Sequence, residues 1–368
     1  MPGSEFSPVQ KRVLQLALGA PAPNRLELSR IMGLSPQTLT RAVRPLIEDG
    51  ILSERAIHNG RPGQPVRELA YREGRLAVLG LVLTQERISV TAEDLAGTQY
   101  FRKQVTGAVG TPARALPIAS DLIAECRSAL PGHSDLLGLG VAAQGFFLER
   151  GRRIVARGDP AGWLEVDLQA RLRAMADLPI ALQNDARAIA AGLVRMPVGR
   201  TYSHYFCLFL STGVGGALVV DGQIHDGPHG NAGEIGALLP ESRARPTISN
   251  FLAASELGAI EEWAGFEALP GERRTRLEAW CAEAGAQLSA PLQAVLALLD
   301  VEAVAVFSQI PREVVERICR GIRLLPIGAD FAGIPKTVLN QPEFVVYDDT
   351  SLERGACAVA RSHFFSGD

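Results

Sequence analysis

The sequence predicts an α/β protein of two or three units, with a small helical head ahead of a larger body in which strands alternate with helices. Three observations carry this. The chain has 368 residues, too many for one small domain, and 47% of them are apolar, enough for real cores. Charge is unevenly placed: residues 1–75 hold eleven Lys/Arg against seven Asp/Glu, a balance of +4, whereas the whole chain is −3 and the remainder therefore −7. The densest strand signal, Tyr205–Leu210 with the glycine-rich stretch behind it, lies deep in the body. A basic head on an acidic body points to the head as the part that meets a polyanion.

In the head, Ser7-Pro8 opens a helix expected to reach about Ala20, with Val13, Leu14, Leu16 and Leu18 on its apolar face. Pro21-Ala22-Pro23 breaks it. Asn24 caps a second helix, Arg25–Met32, which Gly33 ends. Ser35-Pro36 is an N-cap followed by proline at the first helical position, and a third helix runs from there to about Asp49. A kink is expected at Pro45. Helix, short glycine turn, helix is the helix-turn-helix pattern. Ile51–Ala56 and Val66–Tyr71 are expected as two short strands around His58–Pro65, a β-wing.

Many helical domains hold this pattern and bind nothing. Local positive charge, the wing and the polar start of the third helix favour DNA here. Gln37, Thr38, Thr40 and Arg41 reach base edges or phosphates if that helix enters the major groove. Arg44, one turn on, is a backbone contact or a solvated residue. Arg61, held out by Gly60 and Pro62, suits a narrow minor groove, or is a solvated loop arginine.

In the body, Leu76–Val90 reads as strand, turn, strand, and Leu116–Leu130 as a helix with Pro117 in its first turn. Leu136–Gly145 is a buried strand. Trp163 fits core packing or stacking on a sugar face. Ile180–Gln183 is a strand that turns through Asn184-Asp185-Ala186-Arg187 into a helix, Ala188–Val194. A polar pair there is an ordinary N-cap, and a helix start also favours an anion. Tyr205–Leu210 is followed by a glycine-rich turn, Ser211–Gly216, then a strand, Ala217–Val220. Asp221-Gly222 has the composition of a type I′ hairpin turn, and Gln223–His225 starts the next strand. Gly227–Gly236 is a loop with four glycines around Glu234. Glycine admits backbone amides close to a ligand, and a carboxylate accepts hydrogen bonds from hydroxyls; the same block also fits an ordinary β-meander.

Beyond it, Phe251–Trp263 and Arg273–Leu299 are expected helices, the second broken near Pro291. Val301–Phe307 is a strand, Pro311–Gly321 a helix, Thr337–Val346 contains a strand, and Ser351–Phe364 is a helix of small residues. The cysteines Cys126, Cys207, Cys281, Cys319 and Cys357 are scattered, which argues against disulfides and a thiolate zinc site. No signal peptide opens the chain and no apolar run approaches about 18 residues, so a cytoplasmic, non-membrane protein is expected.

The block from Tyr205 to Ala237 resembles the signature of the ROK family (repressors, open reading frames and kinases), GTGVGGGI…DG…G-AAGEIGH. Gly213, Gly215, Gly216, Gly227, Gly230, Ala232, Gly233, Glu234, Ile235 and Gly236 fall on it in order. The head resembles the winged helix of the family's repressors, with their GRP-type wing. The fold implied is α/β: an N-terminal winged helix-turn-helix, residues 1–75, followed by a two-lobed actin-like, ribonuclease-H-like domain, residues 76–368. Its first lobe would be 76–195 with the helix 351–368, its second lobe 196–350, and its ligand cleft would lie between them.

The resemblance also implies a site. Leu136–Gly145 is similar to the family's GIGVPG strand, with Gly145 kept. Asn184-Asp185 resembles ENDANAAA, whose asparagine binds sugar and whose aspartate is the base for phosphoryl transfer. Gly145, Asn184, Asp185, Glu234 and Asn250, the last at the place of the family's second sugar-binding glutamate, are the implied ligand residues. Departures are equally specific. Where kinases carry LGIDIGGTKI, this chain has Val82, Thr84, Gln85 and Glu86 in place of the aspartate, glycines and threonine that serve ATP. Phe307, Ser308 and Gln309 replace the glycines beside the adenosine, in VLGGG. The family's zinc histidine is Ala237, and the CGCGxxGCLE loop becomes Glu241–Asn250 without a cysteine or histidine.

The resemblance therefore implies no zinc, a degenerate ATP site and no enzyme. It implies a DNA-binding transcriptional regulator, a repressor, that senses a sugar or sugar derivative, binds a double-stranded operator and forms a homodimer or homotetramer. An active sugar kinase, or a body that only dimerises, are the alternatives.

Overall fold

The computed structural model describes residues 6–19, 22–57, 66–156, 159–194, 196–325, 341–347 and 352–366. Two compact units emerge, Met1–Asn184 with Glu353–Asp368, and Asp185–Leu352. The chain passes from one to the other at Asn184–Asp185 and returns at Leu352–Glu353.

The first unit begins with the head, α1 (Pro8–Ala17), α2 (Arg25–Met32) and α3 (Pro36–Glu48), then the antiparallel hairpin β1 (Leu52–Ile57) and β2 (Val66–Tyr71). Local chemistry sets these starts. Ser7 with Gln10, and Asn24 with Glu27, form reciprocal capping boxes. Gly33 ends α2 in the left-handed region, φ 63°. α1 stops at Ala17, short of the expected Ala20, and α3 runs through Pro45 without interruption. The wing turn, 58–65, and with it Arg61, lies outside the described residues.

Next come β3 (Leu76–Leu83), β4 (Arg87–Asp94), β5 (Gln99–Thr106), α4 (Pro112–Ala129), β6 (Asp135–Ala143), the small hairpin β7 (Phe146–Leu148) and β8 (Arg153–Val155), α5 (Pro160–Leu164), α6 (Leu168–Ala176) and β9 (Ile180–Asn184). The sheet order is β5-β4-β3-β6-β9, with β3, β4 and β5 antiparallel and β3, β6 and β9 parallel. α4 starts at Pro112, so Pro117 is interior rather than in the first turn. Either proline suits a first helical position; Ala115, Leu116 and Ala119, all buried, favour the longer helix.

The helix Leu352–Ser366 completes this unit. Gly140 and Gly80 let it lie directly on the sheet: a Cβ on Gly140 would strike the Ala356 carbonyl, and one on Gly80 would come 2.7 Å from Cys357 Sγ. Beneath it the buried Arg361 pairs with Glu93 at 2.7 Å, and Ser89 donates to the buried Glu353 at 2.9 Å. The head shares a core with this lobe, in which Val13, Leu14, Leu28 and Leu69 pack with Leu76, Val78, Leu137, Ala360 and Phe364. Phe6 meets Phe364 edge-on at 5.5 Å, and Lys11 Nζ stands 5.0 Å over the same ring.

The second unit repeats the sheet. It contains α7 (Asp185–Leu193), α8 (Pro197–Thr201), β10 (Tyr205–Leu210), β11 (Val214–Val220), β12 (Gln223–His225), α9 (Ile248–Ser255), α10 (Gly271–Leu299), β13 (Ala303–Ser308), α11 (Arg312–Gly321) and β14 (Glu343–Tyr347). Its order is β12-β11-β10-β13-β14, again an antiparallel triplet continued by parallel strands. Each unit is thus a ribonuclease-H-like sheet, and the body is the duplicated, actin-like α/β architecture.

Three expectations change here. β11 begins at Val214, so Gly215 and Gly216 are strand residues paired with Phe209 and Leu208, not turn. The helix expected over Phe251–Trp263 is α9, stopped by Glu256 at φ 54°. α10 passes through the buried Pro291 unbroken, because Leu277, Leu288, Leu292 and Leu296 are held in the second core. Asp221-Gly222 does form the I′ turn, with φ 53° and 68°.

Candidate functional site

On α3, burial of Leu39, Val43 and Leu46 at i, i+4 and i+7 turns Gln37, Thr38, Thr40, Arg41 and Arg44 outward, and all five are exposed. Ser35 Oγ caps the Thr38 amide at 3.2 Å and meets the Thr38 hydroxyl at 2.9 Å. Arg25 donates to Thr40 Oγ1 at 3.4 Å and to Glu54 at 2.8 Å, and Arg67 donates to Glu54 at 3.1 Å. α2, α3 and the hairpin are stitched together in this way. Burial alone would raise the Glu54 carboxyl; the two arginine hydrogen bonds outweigh it and hold it below its ordinary value. Arg44 pairs with Glu48 at 2.7 Å, which balances its charge and leaves Arg41 as the exposed cation in mid-helix.

In the first unit, Gly145 and Asn184 lie at the C-terminal ends of the adjacent parallel strands β6 and β9, where Ala143 pairs with Asn184. Ligands of open α/β sheets collect at this end. Asn184 is buried, and Gly145 has φ 143°. Trp163 is a core residue: it is buried, and its Nε1 donates to the Gly110 carbonyl at 2.6 Å.

In the second unit, Asp185 opens α7 and accepts from the Ala186 amide at 2.9 Å. Burial nevertheless pushes its pKa up to about 6, and the negative charge of Glu234 adds to the rise. Asp185 and Glu234 are thus close enough to feel one another. Two further ionisable groups join them, and sequence reasoning missed both. Arg187 is fully buried, with Nε 3.7 Å from Asp226 Oδ1. Burial lowers its pKa, opposed by Asp226, Glu234 and Asp185. The available signal was an arginine among alanines in a short helix, DARAIAA.

The glycines of the signature bring Glu234 to this place. A Cβ on Gly216 would strike the Phe206 ring, and one on Gly233, at φ 93°, would come 2.7 Å from the Gly216 carbonyl. Asn250 is placed differently. Its Nδ2 donates to the Ser242 and Arg245 carbonyls at 3.0 and 2.9 Å, making it a tie within the 242–250 loop.

The residues at the places implied for ATP and zinc do not fit those groups. In the β3–β4 turn, the Thr84 amide donates to Arg87 O at 2.9 Å, the Arg87 amide to Thr84 Oγ1 at 3.0 Å and the Gln85 amide to Gln144 at 3.4 Å. Those donors are taken, and Glu86 adds a negative charge. Phe307 stacks on Tyr347 at 4.9 Å, while Ser308 Oγ donates to Leu210 O and accepts from the Ile310 amide. Among the described residues no three His, Cys, Asp or Glu side chains are grouped to hold a metal.

A winged helix-turn-helix head on a body of two repeated ribonuclease-H-like sheets defines a class: a DNA-binding module joined to an actin-like, sugar-kinase-type scaffold. Residues 78–251 match the profile of the ROK family, and residues 7–53 that of winged helix-turn-helix DNA-binding domains. The chain thus carries a stretch that matches the ROK family behind one that matches a winged helix-turn-helix. A crystal structure of a ROK family transcriptional regulator, a homologue of the E. coli MLC protein, superposes with TM-score 0.74 at 18% identity, covering 97% of this chain and 96% of that one.

Among sequences, an uncharacterised protein, y4fQ, of Sinorhizobium fredii is 27% identical over 90% of this chain and 86% of its own. A xylose repressor of Bacillus spizizenii is 22% identical over 62% of this chain and 59% of its own. A glucokinase of Halalkalibacterium halodurans is 36% identical over 31% of this chain and 36% of its own. No helix among the described residues is long and apolar enough to cross a membrane.

Proposed function

We propose that this chain is a sequence-specific transcriptional repressor of the cytoplasm, in which residues 1–75 read an operator and residues 76–368 take a sugar or sugar derivative as effector without phosphorylating it. The observation that carries the reading is the contrast within one body: Asp185 and Glu234 are kept together, while the turn that would face phosphates is closed on itself by its own hydrogen bonds. The outward row Gln37, Thr38, Thr40 and Arg41, on a basic head, supplies the DNA face. The xylose repressor and MLC-type relatives are consistent with it.

Asn184 and Asp185 straddle a point where the chain changes unit. Control of DNA binding follows if the effector has different affinities for two states of the protein, in a homodimer or homotetramer that offers two heads to a palindromic site. A second reading, in which the body only dimerises, draws on the tied Asn250 amide.

The test is a thermal-shift panel of hexoses, pentoses, N-acetyl sugars, sugar phosphates and MgATP, with every stabilising sugar then added to the protein–operator complex. A ligand at about 100 times its Kd adds about 2.7 kcal/mol of stability. One sugar that stabilises and changes operator affinity, with MgATP inert, is the expected result. MgATP stabilisation with sugar-dependent release of ADP would make the chain a kinase. Silence from every sugar would leave the dimerisation reading.

A further inference from the structure

Residues 241–250, behind the glycine-rich block, hold no cysteine or histidine for a zinc loop, yet the turn ahead of them is held. We infer that Arg245 is the positioning residue of the effector site, a guanidinium cross-link that fixes the turn behind Glu234 in place of a metal. This rests on the effector reading above.

Glu234 leads into a single 3-10 turn, Ile235–Leu238, in which the Ala237 amide donates back to Glu234 O at 3.1 Å. Gly236 is pressed against β11 so closely that a Cβ would strike the Val214 carbonyl. From the other side comes Arg245, only 8% exposed. Its Nη2 donates to Gly236 O at 2.9 Å and its Nη1 to Leu239 O at 3.0 Å, so one planar group spans the turn. Glu241 lies 3.0 Å from Nη1 and balances the charge.

The cross-link is itself anchored. Asn250 Nδ2 donates to Arg245 O, Trp280 Nε1 to Arg243 O at 2.9 Å, and Gln287 to Ser242 Oγ at 2.7 Å. A zinc ion would join side chains; this arrangement joins backbone carbonyls through a residue with five donors in a fixed fork. Lysine cannot reproduce that fork, because its ammonium is a single point.

The test uses the full chain, with Arg245→Met and Arg245→Lys. Wild-type protein is expected to contain no stoichiometric zinc and to melt at the same temperature with and without a chelator; bound zinc whose removal lowers the melting temperature overturns the inference. For whichever sugar stabilises the wild type, Arg245→Met should weaken binding about tenfold or more and Arg245→Lys less, with sugar-free operator affinity unchanged. Equal sugar affinity in wild type and Arg245→Met sinks the positioning role.

If no sugar acts on the wild type, the effector reading fails and hydrogen exchange decides the cross-link separately. The amides of residues 235–239 should exchange slowly in wild type and faster in Arg245→Met. Equal exchange rejects it. Should Arg245→Met not fold, Arg245→Lys serves in each comparison.

Discussion

A carboxylate in the first turn of a helix is ordinarily favoured as an anion, and Asp185 departs from that. Burial and Glu234 raise its pKa from 3.8 to about 6. Between those values the unfolded chain has lost the proton while the folded chain keeps it, so stability falls as pH rises from about 4 to about 6 and levels off above. Asp185→Asn removes this dependence. The variant should be more stable than wild type by about 1–3 kcal/mol above pH 6 and indistinguishable near pH 3.5, as read by thermal melts across pH. A pH-independent difference would show that the carboxyl titrates normally.

At this scale the sequence is legible only in part. Asn184, Asp185 and Glu234 stand in motifs whose residue types announce polar work. Arg187 and Arg245 do not. An arginine reads as a surface residue until the fold encloses it, and in the 241–250 loop the missing cysteines are visible in the sequence while the guanidinium fork is not. The sequence leaves Arg44, one turn beyond Arg41, as a backbone contact or a solvated residue; its Glu48 pair gives it a partner within the helix.

Helix starts were legible because their causes lie within four residues. Ser7 with Gln10, Asn24 with Glu27 and Ser35 with Thr38 act locally, and the structure honours each. Prolines and glycines inside elements misled, because what decides them is far away in sequence. Pro117 and Pro291 are carried by helices whose other faces are buried, and Gly216 is a strand residue because Phe206 and Gly233 leave no room for a side chain. The same reasoning singles out Gly140. Gly140→Ala places a methyl against the Ala356 carbonyl and must push the helix Leu352–Ser366 off the sheet. We expect a loss of about 3 kcal/mol or more in denaturant unfolding, against less than about 1 kcal/mol for Gly213→Ala, where nothing lies within 4 Å.

At the scale of the molecule, the duplicated sheet was within reach of sequence reasoning through the family signature, but the joint between head and lobe was not. No motif marks a shared core; it forms because Leu14, Leu28 and Leu69 from the head and Leu76, Leu137 and Phe364 from the lobe each need a partner. Arg75 reinforces it, donating to the Asp49 carbonyl at the end of α3 at 3.0 Å and to the His133 carbonyl. Residues 1–75 made alone lack seven of the seventeen described buried residues of that core, so they should show no cooperative thermal transition under conditions where the full chain melts cooperatively. A sharp melt of the fragment would mean that the head is self-sufficient.

A shared core also constrains how such a protein can diversify. Exchange of whole heads between relatives by recombination near residue 75 would set foreign side chains against Leu137, Ala360 and Phe364, and the joint would have to be rebuilt at the same time. Substitution at Gln37, Thr38, Thr40 and Arg41 leaves the buried side of the helix in place, since Leu39, Val43 and Leu46 hold it from the other side. Among the described residues only Thr38 and Thr40 of the four make side-chain hydrogen bonds, to Ser35 and Arg25. On the proposed reading, new operators are reached by point changes on one helix face, with the lineage of the head tied to the lineage of the lobe that carries it.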